Sequence, residues 1–154
     1  MGNGETLRPG QFQRISAGTG IEHSEFNPSA DEETHFYQIW LLPHSEGLRP
    51  GYEQKEFAPE EQVNKWRLVA SPDGQEGSLS IQQNAKLYLS SIKASQEVKY
   101  ELELNRHAWV QVLRGSLEID GIPISAGDGA AIEGVRAFSL NAKTDSECML
   151  FDLA

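Results

Sequence analysis

The stretch Val98-Lys99-Tyr100-Glu101-Leu102-Glu103-Leu104 alternates apolar and polar residues without a break. A period of two places successive side chains on opposite faces of an extended chain, so this segment reads as a strand with one face in a core and one in water. Working outward, "WRLVA" (66–70), "LSIQQ" (79–83), "KLYLSSIKA" (86–94), "AWVQVLRG" (108–115), "SLEIDG" (116–121), "GAAIEG" (129–134), "RAFSLNA" (136–142) and "ECMLFDL" (147–153) also read as strands. Turn signals separate them, among them "SPDGQEGS" (71–78). About eight strand candidates at this spacing predict a small all-β barrel or sandwich.

The first half is less regular. "FQRI" (12–15) is a short strand candidate that ends at Ser16-Ala17-Gly18-Thr19-Gly20. "NPSADEET" (27–34) and "HSEGLRPG" (44–51) read as loops, and Asp31-Glu32-Glu33 as a solvated acidic face. "HFYQIWLLP" (35–43), rich in aromatic and branched residues, is the strongest strand expectation before residue 60. "YEQKEF" (52–57) could be an exposed strand, and "APEEQVNK" (58–65) a helical turn at a boundary.

The totals set limits. The chain has 154 residues and a formal net charge of −10. Nucleic-acid affinity rests on clustered Lys and Arg, so that balance argues against a phosphate-binding surface. The single cysteine, Cys148, lies in an apolar run and reads as a buried thiol; it forms no disulfide within the chain. No apolar stretch approaches membrane-spanning length, and a reducing, cytoplasmic setting is the default expectation.

Chemistry concentrates at "GTGIEHSEFN" (18–27). On a strand His23 and Glu25 would project to one face, with Cβ atoms roughly 6.5–7 Å apart. Metal–ligand bonds are about 2.0–2.2 Å, so both could reach one ion. Imidazole plus carboxylate suits Fe, Mn, Ni, Cu or Zn as divalent ions. The competing reading is a capped turn with a partly solvated His and Glu. Of the other histidines, His35 reads as a packing residue beside Tyr37, His44 as exposed loop, and His107 as a strand end. Trp40, Trp66 and Trp109 read as core or barrel-packing residues.

Gly20, His23 and Asn27 match the second motif of the cupin superfamily, a glycine followed by H-x-x-x-N. "RPGQFQRISAGTGIEHSEFNPS" (8–29), "HFYQIWLLP", "YEQKEF" and the tail "WVQVLRGSLEIDG…GDGAAIEG…LFDL" resemble the pirin family of bicupins, which includes quercetin 2,3-dioxygenases. The resemblance covers essentially the whole chain and is most specific from Ile15 to Pro28. It implies cupin (double-stranded β-helix, jelly-roll) barrels: residues 1–60 as the C-terminal portion of a first, metal-type cupin and residues 61–154 as a second, complete, metal-free cupin.

The resemblance further implies a mononuclear divalent transition metal held by three histidines and a glutamate, with His23 as the third histidine and Glu25 as the glutamate. Glu25 would be a ligand or the base that takes a substrate proton. The implied substrate is a flavonol such as quercetin, cleaved with dioxygen. The other two histidines form an H-x-H pair that the resemblance places upstream of a turn at Met1-Gly2-Asn3-Gly4, so this chain carries two of four ligands. Turnover and metal affinity are expected to be weak for that reason, and whether the chain is itself an enzyme stays open.

In the second barrel, counting back from Gly115 puts Leu102, Leu104 and Ala108 at the first-motif ligand positions, and counting back from Asn141 puts Ala137 at the second. All are apolar. An alternative function is a non-enzymatic protein-interaction or regulatory module. Strands before residue 60 that lack partners would leave an open edge and an uncovered apolar face, with pairing of two chains as the expected result.

Overall fold

The computed structural model describes residues 4–154; the turn expected at Met1-Gly2-Asn3-Gly4 lies largely outside them. Two sheets face each other across residues 67–153. One is six-stranded, in the order β10 (Gly129–Ile132), β7 (His107–Arg114), β12 (Ser146–Leu153), β5 (Ala85–Ile92), β3 (Arg67–Ser71), β4 (Leu79–Ser80). The other is four-stranded, β6 (Glu97–Glu101), β11 (Ala137–Ala142), β8 (Ser116–Ile119), β9 (Ile122–Ser125). All pairings are antiparallel except β3 with β4. A separate antiparallel pair, β1 (Gln11–Ser16) and β2 (Gly51–Glu56), precedes them, followed by a 3-10 turn at Pro59–Glu61. The cupin barrel expected from the sequence is this pair of sheets.

Two apolar clusters hold the fold. Inside the barrel, Val110 and Val112 of β7, Cys148 and Leu150 of β12, Leu117 of β8 and Leu140 of β11 are almost completely removed from water. Burial pushes the Cys148 thiol up to about 12, which keeps it protonated. The second cluster covers the outer face of the six-stranded sheet. There Leu87, Leu89 and Met149 meet Phe57, with Phe12 and Leu41 packed against them. Strand β12 is therefore buried on both faces, which explains why "CMLF" is continuously apolar, whereas Lys99 and Glu101 of β6 face water.

Several sequence expectations need correction. The segment 35–43 is not a strand. It is extended but tied only at its end, where Gln83 Nε2 donates to the Leu42 carbonyl (2.7 Å) and the His44 N–H donates to the Gln82 carbonyl (2.7 Å). Leu41 packs on the outer sheet face, while Phe36, Tyr37 and Trp40 stay exposed. Trp40 is 84% exposed and Trp109 40%, so neither is a core residue; Trp66 does pack on the barrel core and donates its indole N–H to the Lys99 carbonyl (3.0 Å).

The opening strand is shorter than its alternation suggests. Its partner β11 begins opposite Glu101, and the chain turns at Asn105 in a left-handed conformation, which leaves Leu104 in solvent. Ile122–Ser125, unassigned from the sequence, pairs with β8.

One glycine is required by geometry. Gly115, between β7 and β8, has φ +78°, and a Cβ there would lie 2.4 Å from the Asp145 carbonyl oxygen and 2.4 Å from Ser146 Oγ. Gly115→Ala is expected to destabilise by at least about 1–3 kcal/mol, because a strained backbone and a backbone contact combine. A urea midpoint equal to that of the parent protein would contradict this.

Candidate functional site

Strands β1 and β2 present two rows. Register pairs Gln11 with Glu56, Gln13 with Gln54 and Ile15 with Tyr52, so these six side chains share one face. Phe12, Arg14 and Glu53 occupy the other. Phe12 packs edge-on against Phe57 (ring centroids 5.9 Å), which anchors this face to the outer apolar cluster of the barrel, and Arg14 pairs with Glu53 (3.2 Å) across the two strands. The Gln–Tyr face is the one turned toward the "GTGIEHSEFN" stretch.

That stretch lies outside any ladder, so the expected strand does not form at residues 21–27. Its path is set at both ends. Gly18 sits so close to Leu48 that a Cβ would lie 2.1 Å from its carbonyl oxygen, and the Thr19 N–H donates to that same carbonyl (3.0 Å). At the far end, Asn27 organises the loop: its amide donates to the Glu32 carbonyl (2.6 Å) and its Oδ1 accepts from the Ser29 N–H (3.0 Å). Between these anchors His23 and Glu25 are exposed, and Gln13 Nε2 donates to Glu25 Oε1. The carboxylate is thus held over the glutamine row, whereas no hydrogen bond among the described residues orients the His23 side chain.

Beyond Gln13 the row continues. The Tyr52 hydroxyl donates to Gln54 Oε1 (2.6 Å) and lies 3.4 Å from Gln13 Oε1. Gln54 Nε2 donates to Gln11 Oε1 (2.9 Å) and to the Thr6 carbonyl (3.0 Å). Burial, then the negative charges of Glu5 and Glu25, raise the Tyr52 hydroxyl above the usual phenol range, so it remains a donor. Nothing in the sequence marks Gln13, Tyr52 and Gln54 as a group, because the β1–β2 register is what brings them together.

The remaining histidines are separate from this face or merely exposed. His35 stacks on Tyr37 (ring centroids 5.0 Å), and His44 and His107 are exposed. Among the described residues no three His, Cys, Asp or Glu side chains converge as a metal cluster. In the barrel of residues 67–153 only two of the four positions that motif spacing marked face inward: Leu102 and Ala108 are buried, whereas Leu104 and Ala137 are exposed. The interior there is apolar but not purely aliphatic, since Phe138 is buried in it with Trp66, Tyr88 and Tyr100 packed alongside, and at one end Asp152 accepts from Arg106 and Tyr100 (2.7 Å to the phenol).

Residues 68–153 match the family described as the quercetinase C-terminal cupin domain, and residues 1–41 match the pirin family. The chain belongs to the pirin family of bicupins. As a pirin it is 43% identical over 153 residues to the quercetin 2,3-dioxygenase of Escherichia coli K12, an alignment covering 99% of this chain and 65% of the relative. It is 31% identical over 155 residues to a pirin-like protein of Caulobacter vibrioides. The crystal structure of YhhW from Escherichia coli superposes with a TM-score of 0.94 at 43% identity, covering 100% of this chain and 64% of that one. A second structure, of bacterial pirin YhhW in complex with nickel(II), gives a TM-score of 0.92 over 99% of this chain. This pirin therefore spans about 65% of the length of the curated relatives it matches. No helix among its described residues is long and apolar enough to cross a membrane.

Proposed function

We propose that this pirin carries part of the metal site of a flavonol-cleaving dioxygenase, with His23 and Glu25 as two of its ligands. The observation that carries the reading is the 43% identity to a quercetin 2,3-dioxygenase across 99% of the chain, with both residues inside the segment that matches pirin. On this reading residues 1–60 belong to the first cupin and residues 61–154 to the second. The donor chemistry fits: a neutral imidazole and a carboxylate suit a divalent transition ion, and a nickel(II) complex is known for the 43%-identical YhhW. The donor number is only part of a set.

A bound ion would supply Lewis acidity, lowering the pKa of the flavonol hydroxyl. The rest falls to the chain's own groups. His23 would present an imidazole nitrogen to the ion. Glu25, held by Gln13, would either share the ion or accept the proton from the flavonol hydroxyl oxygen, and a carboxylate fixed at hydrogen-bond distance from that oxygen is what such a transfer requires. With two donors, binding is expected to be weak and quercetin turnover small. Metal analysis of the purified chain with a quercetin assay tests this; near-stoichiometric, tightly held nickel, iron or copper together with turnover would overturn it.

A second reading, as a protein-interaction module, is favoured by one observation. Trp40 and Leu42 are 84% and 83% exposed, and the stretch 37–41 forms an open apolar groove with Trp109 and Phe151. A surface of that kind on an isolated chain promotes association. Pairing of two chains is the expected result, visible as a dimer in light scattering that Trp40→Ser shifts toward monomer. A clean monomer at high concentration would count against it.

A further inference from the structure

The hydrogen bonds on the β1–β2 face run outward from the Tyr52 hydroxyl, one arm through Gln13 to Glu25 and the other through Gln54 and Gln11 to Glu56. Glu25, as a carboxylate, can only accept. Gln13 therefore turns its amide nitrogen to Glu25 and its Oε1 toward Tyr52. The Tyr52 hydroxyl is the donor at the junction, 2.6 Å from Gln54 Oε1 and 3.4 Å from Gln13 Oε1. Gln54 in turn spends its nitrogen on Gln11 Oε1 and the Thr6 carbonyl, and the Arg8 N–H donates to that same Gln11 oxygen (2.8 Å). A flipped Gln13 would set its Oε1 against the Glu25 carboxylate, two acceptors with no proton between them. That contact fixes the Gln13 amide, and its arm of the row ends on Glu25.

We infer that Gln13 and Tyr52 are positioning residues for Glu25: the β1–β2 ladder fixes the two side chains, and they fix the carboxylate of an otherwise unpaired, exposed segment. The inference rests on the reading of Glu25 as a ligand or base. Its physical content is that a loop carboxylate acquires a defined orientation from strand residues, as outer partners do around metal-binding groups. Tyr52 acts through Gln13, at one remove from the carboxylate.

Two arms of one experiment test it on the full chain. In the first, the Gln13 side-chain amide is followed by 15N NMR without metal. Its resonances are expected to move in both Glu25→Gln and Tyr52→Phe, while those of Gln111, on the far barrel, stay in place. No movement in either variant would overturn the relay. In the second arm nickel(II) is titrated. Gln13→Leu and Tyr52→Phe are expected to weaken nickel binding about tenfold, at the lower end for outer-partner substitutions. If the parent chain binds nickel more tightly than Glu25→Gln but these two variants bind as well as the parent, the positioning role is refuted, even if their melting temperatures fall. If the parent binds nickel no better than Glu25→Gln, the ligand reading of Glu25 fails, and the amide arm alone decides the relay.

Discussion

Replacing Arg106 by Leu is expected to cost roughly 3–5 kcal/mol of stability, the range for removing one partner of a buried ion pair. Asp152 is 2% exposed, and its two carboxylate oxygens are taken by Arg106 Nε and the Tyr100 hydroxyl. Arg106 does more than neutralise it. Nη2 donates to the Asp152 carbonyl (2.9 Å), and Nη1 to Asn84 Oδ1 (3.0 Å), so one guanidinium ties the end of β12 to the turn before β5. Tyr100 is held by edge-on packing against Tyr88 (5.2 Å) and Trp66 (6.0 Å). Burial above all pushes its hydroxyl far above the usual phenol range, which keeps it a donor to Asp152. With Arg106 gone, Asp152 is a buried charge with one neutral donor. Urea denaturation gives the measure. The double variant Arg106→Leu with Asp152→Leu should recover most of the loss, because it removes the charge as well as its partner. A loss below about 1 kcal/mol, the size of an exposed pair such as Lys86–Glu103, would contradict the assignment.

Leu150→Ala is expected to cost about 2–5 kcal/mol. Leu150 is completely buried at the centre of β12, opposite Val110 on one neighbour and Tyr88 on the other. Both neighbouring strands are fixed by ladders along their length, so the barrel has little freedom to collapse into the space left behind. The informative comparison is Leu104→Ala. Leu104 occupies a position that spacing alone places among the interior ligand positions, yet it is 67% exposed. Its truncation should fall within about 0.5 kcal/mol of the parent. Equal losses at the two positions would mean that the chain reversal at Asn105 is not where the structure puts it.

The contrast between these two leucines shows what kind of information spacing carries. Alternation in 98–104 reports a face, and it is right for Val98 and Leu102, but it cannot report where the partner strand stops. The same limit governs 35–43. Its composition is that of a strand, but a ladder needs a second backbone with free N–H and C=O groups at the right distance, and among the described residues none is offered there. At the candidate site, the H-x-x-x-N motif after Gly20 singled out His23, and the His-x-Glu spacing with the family resemblance singled out Glu25, without any fold. Neither signal marked Gln13 or Tyr52, since their connection to Glu25 depends on the register of β1 with β2.

By itself, the sequence determined that this protein is all-β, that "ECMLFDL" is a strand, that Cys148 is a buried, isolated thiol and that the chain resembles the pirins. Each of these depends on local pattern or on motif, and the structure and its relatives agree. The tertiary structure decided which strands end early, that Trp40 and Trp109 lie at the surface, and that Arg106 and Tyr100 serve Asp152 from 46 and 52 residues away. The reason is the same in each case. Periodicity states which way a side chain points relative to its own strand, whereas a partner across a barrel is set by registers that only the closed pair of sheets establishes.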